Sequence, residues 1–209
     1  MTVARLRSHW IAGGLVAVIV AGVAALLRAA GFETGRALEA LFQGSVGSWY
    51  AFGSGTLVRA TPLILTGLAV AVAFRAGVFN IGAEGQFLVG AAAGTAAALA
   101  FRAMPSALLI PAILLVGALA GSAWAWVAAV LRTRFHVLEV ISTIMLNFIA
   151  AYLVSYLVRG PLQEPTHIYP QTSTISVAAR LPRFGATTRL HIGFAIAITA
   201  CLVTWWLIR

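Results

Sequence analysis

The chain contains no lysine and no aspartate. These two absences exclude whole classes of chemistry. A Walker A loop needs a lysine on the nucleotide phosphates, a phosphorylated-aspartate pump needs its aspartate, and a Schiff-base enzyme needs a lysine amine. Cysteine is confined to Cys201, inside an apolar run, so no disulfide can close within the chain. The histidines His9, His136, His167 and His191 share no ligand-like spacing with one another or with Cys201, which argues against a metal site. No histidine or aspartate dyad lies within the apolar runs, which disfavours an intramembrane hydrolase.

Charge is scarce altogether. Of 209 residues, 9% are charged and 61% are hydrophobic, and the mean hydropathy is +0.98. Such values lie outside the range of soluble domains and identify a membrane protein. The net charge of +9 comes from arginines scattered singly between apolar blocks. They read as flanks of membrane spans, not as a patch or groove for nucleic acid.

A hydrocarbon core takes roughly 17–25 mostly apolar residues to cross, and on that rule the sequence predicts an all-α, polytopic transmembrane helical bundle with about six spans. The first, Trp10 to Leu27, follows Arg5 and Arg7. It resembles a signal peptide but is longer than the roughly 7–15 residues of an h-region, so an uncleaved anchor is expected. A polar connection follows, in which "TGRALEALFQG" reads as a short amphipathic helix capped by Thr34, with Arg36 and Glu39 on one face. The second span covers about Leu57 to Phe74, with Arg59 placed to snorkel and Pro62 early enough to disturb few hydrogen bonds. The third, about Phe87 to Phe101, carries a small-xxx-small step at Gly90 and Gly94. The fourth, about Ala107 to Leu131, repeats it at Gly117 and Gly121 and ends with Trp124 and Trp126, suited to an interface belt.

Two places break the apolar pattern. "FRAGVFNIGAEGQFLVG" (Phe74 to Gly90) crowds Asn80, Glu84 and Gln86 among Gly77, Gly82 and Gly85. A turn accounts for the glycines through their backbone freedom, but not for the polar side chains around them. Interrupted hydrophobic pairs of this kind mark substrate sites in transporters, whereas a carboxylate in an aqueous turn needs no explanation. Both readings stand on the residues alone. The fifth span, about Val140 to Val158, shows a polar stripe in which Glu139, Thr143, Asn147 and Ser155 recur at spacings of four or eight, with Ala151 between and Ser142 beside them. Such a stripe is either glue between helices or the lining of a polar path. A proline-, serine- and threonine-rich connection of about thirty residues then precedes a sixth span, about Ile192 to Ile208. It is too polar for lipid and long enough to act as a docking surface or lid.

"RAGVFNIGAEGQ" and "LEVISTIMLNFIA", with "RATPLILTGLAVAVAF" before the first and "GPLQEP" after the second, resemble the permease subunits of bacterial ABC importers for nucleosides. These belong to a wider group that serves simple sugars such as ribose and branched-chain amino acids. The likeness runs from about Ala60 to the end. Ribose-type permeases tend to differ where "FNIGAEGQ" stands, which favours nucleosides. Leu138 occupies a position where the family commonly has asparagine.

The resemblance implies one transmembrane permease domain over residues 1–209, the N-terminal portion of a longer permease. It further implies a second permease subunit, a cytoplasmic ATPase that binds ATP and magnesium, and an extracytoplasmic binding protein. Alternating access would move the substrate, with no covalent catalysis and no cofactor in this chain. Asn80, Glu84, Gln86, Glu139, Thr143 and Asn147 become the residues expected to line or brace the path. The location would be the cytoplasmic membrane, with the N-terminus inside and the proline-rich loop facing the binding protein. Arginine counts alone do not decide that orientation. An ion-coupled secondary transporter using Glu84 or Glu139 and a noncatalytic membrane scaffold remain the alternatives.

Overall fold

The computed structural model describes the backbone from Thr2 to Arg209 and side chains from Gly13 onward. The flanking roles of Arg5 and Arg7, and the side chains of His9 and Trp10, therefore lie outside the described residues. Where water cannot satisfy backbone N–H and C=O groups, a helix satisfies them within the segment. The described chain is accordingly helical: α1 (Thr2–Ala29), α2 (Thr34–Ser45), a π-helical stretch (Ala51–Leu57), α3 (Val58–Arg75), α4 (Ala83–Ala100), α5 (Ser106–Phe135), α6 (Glu139–Arg159), a 3-10 turn (Val177–Ala179) and α7 (Gly193–Ile208). Among the described residues, three helices are long and apolar enough to cross a membrane: Ala51–Arg75, Ser106–Phe135 and Glu139–Arg159. Shorter apolar helices cover Gly13–Ala29 and Gly193–Ile208. At 30 residues α5 is about 45 Å long, more than the roughly 30 Å of a hydrocarbon core.

The chain divides into two compact units, residues 1–56 and 57–209. In the first, α2 packs on α1. Thr34 does not cap α2: Glu33 holds the N-cap position without a side-chain bond, and the Thr34 hydroxyl donates to the Ala24 carbonyl at 3.2 Å. Arg36 pairs with Glu33, three residues back, at 2.7 Å. Both groups are largely exposed, so the pair adds little stability.

In the second unit α4 is central, packed against α5, α6 and α3, while α7 covers α3. Glycine governs the closest of these contacts. A Cβ on Gly90 would stand 2.8 Å from the Gly117 carbonyl oxygen, and one on Gly121 would stand 3.1 Å from the Gln86 carbonyl oxygen. The two small-residue steps read from the sequence thus meet at Gly90 and Gly117, where α4 touches α5 backbone to backbone, while Gly94 packs on Ile113 and Gly121 on the Gln86 backbone. Trp124 departs from the expected belt. Its indole nitrogen is buried, whereas Trp126 is exposed. Pro62 also departs, since residues 51–57 already wind as a π-helix and place it within a helical run instead of at its start.

The connection after α6 is held by polar contacts of its own. Isolated antiparallel bridges pair Gln163 with Thr172 and Arg183 with His191. The Glu164 carboxylate accepts from Gln171 Nε2 at 2.8 Å and from the Thr166 hydroxyl at 2.9 Å. Those donors, Gln171 first, hold the carboxyl below its ordinary range.

The glycine contact yields a matched test. Gly90→Ala should destabilise the detergent-solubilised protein by about 1–3 kcal/mol through overpacking. Gly67→Ala, in a helix position with nothing within 4 Å, should be neutral or stabilising. Equal effects of the two substitutions on the unfolding midpoint would refute backbone packing at Gly90.

Candidate functional site

Between α3 and α4 the chain leaves the helix at Ala76 and resumes it at Ala83. Gly77 makes the exit with φ 75°, a conformation that disfavours a side chain. Gly82 and Gly85 serve a different purpose. Gly82 has φ −85°, and Cβ atoms on the two would stand 3.1 Å from Thr143 Cβ and 2.9 Å from Asn147 Oδ1. They are small so that the connector can lie against α6, which corrects the reading of all three as conformational glycines.

The polar stripe of α6 then supplies the connector with hydrogen-bond partners. The Phe79 N–H donates to Glu139 Oε1 at 3.4 Å, and the Ile81 N–H to the Thr143 hydroxyl at 3.3 Å. Asn147 closes the sequence, donating from Nδ2 to the Ile81 carbonyl at 3.0 Å and accepting the Gly85 N–H at 2.8 Å. The spacing has a geometric basis. Four helix residues rise about 6 Å, and two residues of open chain reach at most about 7 Å, so residues 139, 143 and 147 can meet successive connector positions. Thr143 spends its own hydroxyl proton on the Glu139 carbonyl at 2.7 Å, leaving its oxygen free to accept.

Asn80 and Gln86 lie on the same pocket as Glu139 and Thr143. Asn80 Oδ1 accepts the Gly82 N–H at 2.9 Å, forming an Asx turn at the start of α4, and also accepts from Gln86 Nε2 at 3.2 Å. Together with Arg132, Glu139 and Thr143 these amides border a pocket of about 240 Å³ whose remaining walls are Ala73, Val78, Ala125, Ala128 and Ala129. Donors and acceptors converge here on an otherwise apolar lining, the usual composition of a small-molecule site.

Glu84 lies elsewhere. It is exposed, on a groove of about 680 Å³ between α3 and α4 with Pro62, Thr66, Gly67 and Leu88. Among the described residues its carboxylate has no hydrogen-bond or ion-pair partner, though its place in the first turn of α4 suits the helix dipole. Of the stripe, Ser142 bonds only within its own helix, to the Glu139 carbonyl, and Ala151 is exposed. Arg132 was legible only as a span flank. Its partner Glu139 lies across the α5–α6 corner, where His136 adopts the left-handed conformation (φ 55°) that ends α5. An opposite-charge pair within one short corner of a chain so poor in charge was the signal available.

A helical bundle whose described residues include three helices of membrane-crossing length and composition defines a multi-pass membrane protein. The family described as branched-chain amino acid transport system, permease component, matches residues 53–209, and the chain belongs to it. The match begins near the division between the two units. Among characterised relatives, the glucose ABC transporter permease protein TsgB13 of Haloferax volcanii is 38% identical over 94% of this chain and 55% of its own length. The guanosine ABC transporter permease protein NupP of Bacillus subtilis is 38% identical over 93% of this chain and 57% of its own length. The nucleoside ABC transporter permease protein NupB of Lactococcus lactis is 32% identical over 86% of this chain and 51% of its own length. The chain thus spans about half the length of these relatives. No solved structure matches it significantly.

Asn147 is the most committed member of the ladder. Asn147→Ala strips partners from one N–H and one C=O, each worth about 1–3 kcal/mol when left unsatisfied. Asn147→Asp keeps the acceptor for Gly85 and should recover part of that loss at neutral pH. Unfolding midpoints of the purified variants measure both, and an alanine variant as stable as wild type would remove Asn147 from the ladder.

Proposed function

We propose that this chain works as the permease subunit of an ATP-binding-cassette importer that carries nucleosides or related simple sugars by alternating access. The observation that carries the reading is the pocket at the α3–α4 break, where two amides, a hydroxyl, a carboxylate and a guanidinium converge within an alanine-rich bundle. Ribose hydroxyls and base edges are partners suited to such groups. Membership of the permease family supports the importer class, and two of the three relatives above are named for nucleoside cargo. The absence of lysine fits an ATP site on a separate ATPase, which would bind the nucleotide and magnesium. A second permease subunit and an extracytoplasmic binding protein complete the proposed assembly. Asn80 and Gln86 are assigned to the path, Glu139, Thr143 and Asn147 to holding its connector, and Glu84 to the neighbouring groove.

Uptake of radiolabelled nucleoside by cells expressing the complete operon tests this. Saturable uptake should vanish with an ATPase-dead partner and fall by about tenfold or more in Gln86→Ala, the scale of a lost hydrogen bond to a desolvated polar group. Ribose uptake without nucleoside uptake would move the cargo to sugars. Uptake that survives the dead ATPase but collapses with the proton gradient would favour the ion-coupled alternative.

The proposed orientation puts the N-terminus in the cytoplasm and the loop from Gly160 to His191 outside. In a Cys201→Ser background, a cysteine at Gln171 should react with an impermeant maleimide in intact cells and one at Arg134, exposed near Arg132, should not. The reverse pattern would invert the topology.

A further inference from the structure

The Arg132–Glu139 pair lies at the corner joining α5 to α6, and no role in the transport path follows for Arg132 from sequence. Its guanidinium bonds Glu139 Oε1, the same oxygen that accepts the Phe79 N–H. The Glu139 side chain is 13% exposed and that of Arg132 is 44% exposed, so the acid is held at the pocket wall while the base reaches it from the open side. Both residues border the pocket with Asn80 and Gln86. A carboxylate with little solvent and no cation would be expensive to keep ionised, and in its neutral form it would accept the amide more weakly.

We propose that Arg132 is a positioning residue, which fixes the connector through Glu139 and thereby sets where Asn80 and Gln86 present their amides. The charge is what matters. Arg132 stabilises the carboxylate, the carboxylate holds the Phe79 N–H, and the next two connections, from Thr143 and Asn147, hold Ile81 and Gly85 in sequence. The first of these connections is also the longest, at 3.4 Å, and so the weakest of the three and the first to open when its acceptor is disturbed. The consequence for transport rests on the importer reading above, but the local consequence does not.

The test is amide hydrogen exchange, read by mass spectrometry on the connector peptide that contains Phe79, in the purified membrane protein. Arg132→Gln and Glu139→Gln should each speed exchange there by about tenfold, the factor for one charge-assisted hydrogen bond. The double variant should be no faster than either single, because both remove one interaction. Arg132→Lys should restore protection to within about twofold of wild type, since a cation is retained. In the complete transporter, uptake per unit of membrane protein should follow the same order. Unchanged exchange in Arg132→Gln would overturn the proposal, as would an Arg132→Lys variant as fast as the glutamine variant. If wild type shows no ATPase-dependent uptake, the importer reading fails while the exchange order still decides the role of Arg132.

Discussion

A backbone that leaves the helix among apolar segments must find partners for its N–H and C=O groups, and this chain finds them partly in its own turns and partly in side chains of a neighbouring helix. Glu139, Thr143 and Asn147 stand one turn apart on α6 and bond the connector at Phe79, Ile81 and Gly85. This arrangement fixes much else. The connector must lie close to α6, which calls for glycine at 82 and 85, and α4 must start where Asn147 can take its Gly85 N–H. Asn80 takes the Gly82 N–H as well as bordering the pocket with Gln86.

The second constraint is the backbone contact between α4 and α5 around Gly90, Gly117 and Gly121. With the Gly90 backbone against the Gly117 carbonyl and Gln86 beside Gly121, the two helices approach more closely than any larger residue would permit. The position of Gln86 is therefore tied to α5 through its backbone and to Asn80 through its amide.

The helical, membrane-spanning character of the chain was legible in composition, because a low charge content and a high hydropathy admit few other solutions. The α6 stripe and the glycine steps were legible too, since period-four spacing maps directly onto a helix face. Other features required the fold. Thr34 resembles a cap by type and position, yet the helix starts one residue earlier than a cap at 34 would allow, and its hydroxyl turns to α1. Gly77, Gly82 and Gly85 look alike in sequence, but one relieves a backbone angle and two admit a neighbour. Glu84 and Gln86 are two residues apart, and on a helix that separation sends them to different sides. Arg132 was missed because a pair across a helix corner has no period to reveal it.

The two carboxylates of the α3–α6 region illustrate how environment divides similar residues. Glu139 is enclosed, paired with a cation and bonded to the connector, so its charge is committed to structure. Glu84 is exposed on a groove between α3 and α4 and has no such commitment among the described residues. Of its three neighbours in this unit, α4 packs least against α3, although a further pocket of about 740 Å³ opens along its seam with α5. Sliding α4 along α5 would drive backbone into backbone, and separating α4 from α6 would strip the connector of its partners. The packing therefore joins α4, α5 and α6 into one block around the pocket and leaves the seam with α3 as the boundary whose movement disturbs the fewest bonds. Glu84 lines that seam.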